Sequence, residues 1–452
     1  MSEDVQSGMS KHVKNLNIRL FSNEVKEWSW FMRMKSVGIL ALCSFLLLVP
    51  RLVAGQRDAW VATWVASPEP AGADASEPLL NIENQTVRER VRVSVGGPLI
   101  RLRLSNEFGS APLLIGSVTV ALPNGPAGIQ SASVRTLTFD SRNSVSISAG
   151  APILSDLIDF PVTQGAEISI SLYFPKRVSS VTWHIFALKH AVVSTPGDHT
   201  RDENIQGGAD SESSIAVSAV LVPAEPSQCL IAAFGDSLID GYGSTVDADG
   251  NWQSDLVRRL QKTSADSKLA VVNEGIGGNR VLSNGRLAFM GDNALARFDR
   301  DVLSLPGVTH IVLFEGLNDI GFPGARLGEK SLLADPADAR TAEDVIDAYR
   351  QMIARAHVRG IKAIGCTLIP FEGANLKIPG YYSDAREAVR QKVNQWIRSS
   401  GAFDGVIDLD KILRDPDHPS RIASRFAWKD HFDPNDTGYQ EIADAIDLSL
   451  FR

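Results

Sequence analysis

The second half of the chain alternates short apolar runs with helical patterns, and this alternation constrains its fold more than any other feature. Trp252, Leu256 and Leu260 recur at spacings of four, which is typical of one face of a helix. Strands alternating with helices predict βαβ units, so we expect an α/β fold with a parallel sheet covered on both faces, a three-layer α/β/α domain over residues 227–452. Two more helical patterns and five strand-length apolar runs carry this prediction: helices at 342–357 and 385–397, and strands at 231–234, 270–272, 310–314, 363–367 and 406–407.

Residues 57–226 have a different periodicity, in which apolar and polar residues alternate. Residues 91–95 and 100–104 each show this period of two, and a Gly-Gly-Pro turn at 96–98 separates them. The pattern predicts a β-hairpin with one buried face. Because further short strand-like runs follow without helical stretches, we predict an all-β, sandwich-like domain. Four arginines point away from the buried face and are expected to be solvated: Arg90, Arg92, Arg101 and Arg103.

The first 56 residues are predicted to be a leader that contains a signal peptide. A 13-residue apolar run at 37–49 follows Arg33 and Lys35, and small residues up to Gly55 suit cleavage. We therefore expect a signal peptide at about residues 33–55 and a secreted or periplasmic protein with no stable membrane insertion after cleavage. An uncleaved membrane anchor is the alternative. Since a signal rarely begins this far into a chain, Met32 or Met34 is a candidate for the true start.

Charge and cysteine content limit the possible partners. The net charge of -8 argues against a nucleic-acid partner, which would call for a basic face. Outside the leader, Cys229 and Cys366 both lie in apolar strand-like runs, so we expect two buried thiols rather than a disulfide framework. The sequence contains no cluster with the spacing of metal ligands, and we predict no metal site.

Polar motifs follow the first three predicted strands of the second half. The first strand ends in Gly235-Asp-Ser-Leu238, the second leads into the Gly-rich segment 273–279, and the third ends in Glu315-Gly-Leu-Asn-Asp319. Side chains at the carboxyl ends of parallel strands face the crevice where ligands bind. Ser237 is therefore a candidate nucleophile, although Gly, Asp and Ser are also ordinary turn residues. A Gly-rich loop can place a backbone N–H towards a developing oxyanion.

These three motifs resemble, in order and on matching strands, the first three blocks of the SGNH/GDSL hydrolases. The resemblance covers essentially residues 228–452, and the preceding β domain is similar to that of the exported branch containing xylanase-linked acyl esterases. It implies that Ser237 is the nucleophile. It also implies an oxyanion hole formed by the N–H groups of Ser237 and Gly278 and by the amide of Asn318. No metal or organic cofactor is implied.

The fourth block of this family, Asp-x-x-His, is where the chain departs from the pattern. Aligned on the segment before the last helix, Asp430 matches the aspartate, but Asp433 occupies the position of the histidine. A carboxylate with an ordinary pKa near 4 is a poor base for a serine. We therefore expect His431 to be the base after a local shift of the loop, with Asp430 or Asp433 orienting the ring. His418, in a literal Asp-x-x-His-Pro at 415–419, is the less favoured alternative and is expected to be an exposed turn residue.

The sequence thus predicts an exported serine esterase that acts through an acyl-enzyme. The resemblance suggests short acyl esters, such as acetylated carbohydrates, as substrates, and lipid or aryl esters are the alternatives. The enzyme's partner would be a small-molecule or oligosaccharide ester. The alternative is a catalytically impaired scaffold that binds carbohydrate or has a structural role, and Asp433 is the main support for it. Three ordered motifs favour the enzyme.

Overall fold

The structure is a computed structural model, in which residues Arg57–Arg452 form one compact unit. Antiparallel strands fill its first part, up to about residue 223, and strands alternate with helices from residue 229. Within the described residues, no helix has the length and apolar composition needed to cross a membrane. The predicted signal peptide lies outside the described residues. The structure describes residues 59–71, 81–178, 180, 182–207, 209–262, 268–328 and 331–452.

The first part is built from short strands in antiparallel sheets. The two largest sheets have the orders β1-β16-β4-β10, with β9 also on β4, and β14-β13-β3-β11-β6-β7; a smaller sheet has the order β15-β12-β2. Apolar side chains of these sheets belong to one continuous core. The strands are β1 (Trp60–Val65), β2 (Glu69–Pro70), β3 (Gln85–Arg92), β4 (Gly97–Asn106), β5 (Leu113–Ile115), β6 (Ser117–Ala121), β7 (Arg135–Leu137), β8 (Val145–Ile147), β9 (Ala151–Leu154), β10 (Ile158–Val162), β11 (Glu167–Phe174), β12 (Thr182–His184), β13 (Ala191–Pro196), β14 (Ala209–Ser211), β15 (Ser214–Ile215) and β16 (Val217–Pro223).

The predicted hairpin between β3 and β4 is wrong. Strand β3 pairs with β11 and β13, whereas β4 pairs with β16, β10 and β9, so the turn at residues 96–98 carries the chain from one sheet to the other. A Cβ on Gly96 would lie 2.4 Å from the carbonyl oxygen of Val162, which shows how closely this turn passes another backbone. Period-two alternation determines which face of a strand is buried, but it does not determine the neighbouring strand.

The expectation of a solvated arginine face is also wrong for two of the four arginines. The guanidinium of Arg90 lies 2.9 Å from the carboxylate of Asp247, and its side chain is only 12% exposed. The Nε of Arg92 donates to Asp249 at 2.6 Å. Both aspartates belong to the second part of the unit, so these arginines join the two parts.

The second part contains a parallel sheet, which confirms the predicted α/β class. Its strands are β17 (Cys229–Gly235), β18 (Leu269–Gly275), β19 (Val308–Phe314), β22 (Lys362–Cys366) and β23 (Gly405–Ile407), in the order β18-β17-β19-β22-β23. Each predicted apolar run falls on one of these strands. The short strands β20 (Arg326–Leu327) and β21 (Ser331–Leu332) pair separately. Cys229 and Cys366 are free thiols, and Cys366 is buried.

Helices follow the strands as the periodicity predicts. Asn251 begins the second helix by accepting the N–H of Ser254, and Thr341 and Asp344 cap the fifth helix reciprocally. The helices are α1 (Ser237–Asp240), α2 (Trp252–Leu260), α3 (Ala294–Phe298), α4 (Leu317–Gly321), α5 (Ala342–Val358), α6 (Asp384–Ser399), α7 (Leu409–Leu413) and α8 (Asp436–Ala445).

The antiparallel part packs along the edge strand β18 of the parallel sheet. The N–H of Val271 on this strand donates to the hydroxyl of Ser94 at 2.7 Å. The hydroxyl of Ser67 donates to the carboxylate of Glu274 at 2.6 Å. An exposed edge strand is a template for pairing with other chains, so these contacts protect an edge that would otherwise be open. They also bring β2 and β12 close to the loops at the carboxyl ends of β17 and β18.

Candidate active site

Ser237 lies where β17 ends and α1 begins. Strand β17 has β18 on one side and β19 on the other, so the serine emerges at the carboxyl end of an interior strand. The carboxylate of Asp236 caps α1 by accepting the N–H of Leu238. A Cβ on Gly235 would lie 1.8 Å from the carbonyl oxygen of Phe314, so only glycine fits before this turn. The motif predicted from the sequence is therefore a tight strand-to-helix turn.

Two backbone donors lie free beside this serine. Among the described residues, neither the N–H of Ser237 nor that of Gly278 has an acceptor within the protein. Gly278 has a φ of 76°, in the left-handed region that glycine adopts without strain. Both residues are half-buried, so these N–H groups are accessible to a ligand and could act as the donors of an oxyanion hole.

Asn318, on α4, is linked to both of these segments. Its side chain is buried, and its Nδ2 donates to the carbonyl oxygen of Asn279 at 2.9 Å and, over a long 3.4 Å, to Asp236. The hydroxyl of Tyr381 donates to its Oδ1 at 2.7 Å and thereby orients the amide. The three predicted oxyanion residues thus come together, and the long contact marks the N–H that an oxyanion could take over.

The hydroxyl of Ser237 has a different partner from the one that we expected. It donates to Oδ1 of Asp433 at 2.9 Å. His431 is exposed and has a φ of 63°, and it does not accept this hydrogen bond. The local shift that we expected to bring its imidazole to the serine is absent, because the chain places the side chain two residues later against Ser237.

Asp433 is a buried carboxyl whose environment differs from that of an ordinary aspartate. Its residue is only 4% exposed. Burial raises the pKa of Asp433 well above its usual value, and the neighbouring Asp430 raises it further. Asp430 also shapes the loop, because its Oδ1 accepts the N–H groups of Phe432 at 2.9 Å and Asp433 at 3.0 Å. Asp430 is therefore placed to hold the backbone of Asp433, the role that it was predicted to have towards His431.

Three other histidines, His418, His310 and His184, do not accept the hydrogen bond of the Ser237 hydroxyl. His418 is exposed in the turn at residues 415–421, as expected. His310 is buried on β19, and burial lowers its pKa to about 4. His184 is buried at the junction of the two parts and lies 3.0 Å from the carboxylate of Asp240, which is on α1. It is the one of these three that contacts the helix carrying Ser237.

A buried arginine that the sequence did not suggest supports the site from below. Arg297 donates to the carbonyl oxygens of Gly235 at 2.8 Å and Glu274 at 3.0 Å, and to the side chain of Asn279 at 2.9 Å. It therefore ties together the ends of β17 and β18 and the Gly-rich loop. Asp236, the residue before the serine, is also buried, and burial together with the nearby Asp319 raises its pKa to about 8.

A cavity of about 290 Å³ opens beside Asp433. Most of its wall is apolar. Two lysines, Lys377 and Lys429, also line it, and neither forms an ion pair within the part of the chain that the structure describes. The lining residues are Tyr242, Leu327, Ala374, Lys377, Ile378, Trp428, Lys429, Asp430, Phe432 and Asp433. Within the same described part, no group of three or more His, Cys, Asp or Glu side chains is arranged to hold a metal ion.

Comparison with known proteins gives a family match and distant structural similarities. Residues 233–441 match the family described as GDSL-like Lipase/Acylhydrolase family. An acetyl xylan esterase, AlAXEase, is 22% identical (48% of this chain, 96% of that chain, TM-score 0.34). An acetyl xylan esterase from Geobacillus stearothermophilus is 17% identical (49% and 94%, TM-score 0.35). A GDSL-like lipase from Bacteroides thetaiotaomicron VPI-5482 is 16% identical (49% and 87%, TM-score 0.33). The comparison with curated proteins returned no match.

Proposed function

We propose, from the premise that residues 233–441 belong to the GDSL-like lipase/acylhydrolase family, that this protein is an exported serine esterase. It hydrolyses short acyl esters through an acyl-enzyme on Ser237. One observation carries the proposal: the Ser237 hydroxyl donates to a buried carboxyl, Asp433, while the N–H groups of Ser237 and Gly278 have no acceptor among the described residues. This is the arrangement that nucleophilic acyl transfer needs, with a proton acceptor on one side and oxyanion donors on the other.

Asp433, rather than His431, is the general base in this proposal. In acylation, the ionised carboxylate takes the hydroxyl proton of Ser237 while Oγ forms a bond to the ester carbonyl carbon. The carbonyl π electrons move onto oxygen, where the N–H groups of Ser237 and Gly278 and the amide of Asn318 stabilise the negative charge. When the tetrahedral intermediate collapses, the C–O bond to the alcohol breaks and the protonated Asp433 gives its proton to the leaving oxygen.

Deacylation repeats these steps with water. Asp433 takes a proton from water as the water oxygen attacks the acyl carbon. It then returns this proton to Oγ of Ser237 as the ester bond to the enzyme breaks and the carboxylic acid leaves. The free serine and the ionised Asp433 are restored, so the cycle is balanced without a metal ion or organic cofactor.

The burial of Asp433 answers the chemical objection to a carboxylate base. General-base efficiency is best when the pKa of the base lies near the working pH, and an ordinary aspartate at about 4 falls short of this. The raised pKa of Asp433 reduces the difference between its pKa and the working pH. It also means that the carboxylate is active only above that raised pKa, so activity is expected to fall as the pH decreases through it.

The cavity beside Asp433 supports a small acyl group. Its volume of about 290 Å³ lies at the lower end of ligand sites, which span about 300–1,000 Å³. Apolar walls suit a short acyl chain, and the acetylated carbohydrates that the family resemblance suggests are the proposed substrates. Export rests on the predicted signal peptide at about residues 33–55, and a secreted or periplasmic location follows from it.

Labelling with a fluorophosphonate tests the proposal most directly. The purified protein is expected to label and to hydrolyse p-nitrophenyl acetate, whereas Ser237→Ala should do neither. Ser399→Ala, which removes a hydroxyl at the end of α6, is the matched control and should behave like the wild type. A folded wild-type protein that neither labels nor hydrolyses the ester would overturn the esterase proposal in favour of a binding or structural role.

A further inference from the structure

A chain of buried polar side chains connects the antiparallel part to the serine helix. Glu69 on β2 and His184 on β12 are brought together because these two strands pair. Nδ1 of His184 lies 3.3 Å from Glu69, and Nε2 lies 3.0 Å from Oδ1 of Asp240 on α1. All three residues are at most 8% exposed. Glu69 is held in turn by the N–H of Ile185, which it accepts at 3.1 Å.

Asp240 passes this connection on to the oxyanion loop. Its second oxygen, Oδ2, accepts the N–H of Gly277 at 3.0 Å, and its backbone carbonyl accepts the side-chain amide of Asn273 at 3.0 Å. Gly277 is the residue directly before Gly278. Holding the Gly277 peptide therefore limits the direction in which the next N–H, the proposed oxyanion donor, can point.

Phe186 makes a second, apolar contact with the same loop. A Cβ on Gly277 would lie 2.5 Å from its ring, so the ring packs directly on the glycine backbone. The ring also meets that of Tyr242, with centroids 5.2 Å apart. Tyr242 lines the cavity beside Asp433. Phe186 of the antiparallel part thus contacts the Gly-rich loop directly, whereas His184 is linked to it through Asp240.

His184 lies between two carboxyl side chains, Glu69 and Asp240, which favour its protonated form. Burial alone would lower its pKa, but Asp240 and Glu69 raise the pKa well above the ordinary value. Hydrogen bonds to charged groups are stronger than neutral ones, so the imidazolium is suited to hold Asp240 in a fixed orientation. A neutral side chain of similar length would keep the packing and lose this restraint.

We propose that His184 is a positioning residue of the esterase site, which fixes the Gly277 peptide through Asp240 and thereby aims the Gly278 N–H at the oxyanion. The inference rests on the proposed function above. It makes the antiparallel part a structural component of the active site rather than a separate module. A positioning residue should affect the transition state and leave the binding of the ground-state ester almost unchanged.

His184→Gln tests this role. We expect kcat to fall about 10- to 100-fold, since losing a whole oxyanion donor costs about 10²–10³ and a misplaced one costs less. KM for p-nitrophenyl acetate should change by less than about threefold. The affinity for a trifluoromethyl ketone, which forms an oxyanion on Ser237, should fall in parallel with kcat/KM. Rates are normalised to the fraction of protein that labels with fluorophosphonate.

Two further variants separate positioning from folding. Glu69→Gln acts at the far end of the connection and should cause a smaller loss of the same kind. His199→Gln replaces a half-buried histidine of the antiparallel part that pairs with Asp202, and it should match the wild type. If His184→Gln does not fold, the loss in Glu69→Gln decides the question.

Wild-type kcat and inhibitor affinity in a folded His184→Gln or, where that does not fold, in Glu69→Gln would overturn the positioning role, as would a loss confined to KM. Failure of the proposed function looks different, because the wild type itself would then neither label nor hydrolyse the ester.

Discussion

The oxyanion side and the base side of the site are built from different kinds of structure. Ser237, Gly278 and Asn318 each follow one of three neighbouring strands, β17, β18 and β19, so the sheet itself brings them together. Asp430 and Asp433 lie instead in the irregular segment between α7 and α8. The difference teaches that the three strand-end residues match the motifs that the sequence shares with the SGNH/GDSL hydrolases, whereas the proposed base is a single side chain in a loop.

The largest expected effect lies on the base side. Asp433→Asn keeps an oxygen that can accept the Ser237 hydroxyl but cannot take its proton. We expect kcat/KM to fall towards the upper end of the range of about 10²–10⁴ for general acid–base catalysis. The wild-type profile of kcat/KM against pH should rise through the raised pKa of Asp433. This acid limb should be absent from the residual activity of the variant.

Thermal unfolding provides the control for this substitution. The pKa of folded Asp433 is raised, so its protonated form stabilises the fold fully below the ordinary pKa of an aspartate, and this stabilisation is lost as the pH rises through the raised value. Above that value, Asp433→Asn should unfold at no lower temperature than the wild type. A folded Asn variant with wild-type kcat/KM would show that the base side lies elsewhere.

The next largest effect is expected on the oxyanion side. Asn318→Ala removes the side-chain donor and should lower kcat about 10²- to 10³-fold. KM should change little, because the amide acts on the oxyanion rather than on the ester in its ground state. The acid limb of the pH profile should persist, which distinguishes this loss from that of Asp433→Asn. A KM increased by a similar factor, with kcat unchanged, would indicate that Asn318 binds the substrate instead.

A smaller loss is expected where a residue only orients a donor. Tyr381→Phe removes the hydroxyl that donates to Asn318 and leaves the ring among its aromatic neighbours, including Phe371 and Phe432. One hydrogen bond contributes about 0.5–1.5 kcal/mol, so kcat should fall by at most about tenfold. In steady-state kinetics, the double variant Tyr381→Phe/Asn318→Ala should then have the same kcat as Asn318→Ala alone.

The same division separates what the sequence could predict from what it could not. The apolar runs predicted the strands of the parallel sheet, and the three motifs after them predicted that Ser237, Gly278 and Asn318 would lie close together, because strand order and chain direction place strand ends side by side. The contact partner of Ser237 was not predicted, because the ordinary pKa of an aspartate carries no information on burial: the hydroxyl donates to Asp433 rather than to His431. The links made by His184 and Arg297 join residues far apart in sequence, and no local pattern announces them.

The smallest effect on kcat/KM is expected from a substitution of His431. Its size decides whether His431 or Asp433 is the base. His431→Asn suits the φ of 63° at this position, because asparagine tolerates the left-handed region. A substitution at an exposed position usually changes the free energy of unfolding by no more than about 0.5 kcal/mol. Because the Ser237 hydroxyl donates to Asp433 and not to His431, kcat/KM should stay within about twofold of the wild type. The comparison is made at several pH values, because an imidazole base would impose its own acid limb. A decrease in kcat/KM of about 10²-fold or more would identify His431 as the base, since removal of a general base has an effect of that magnitude.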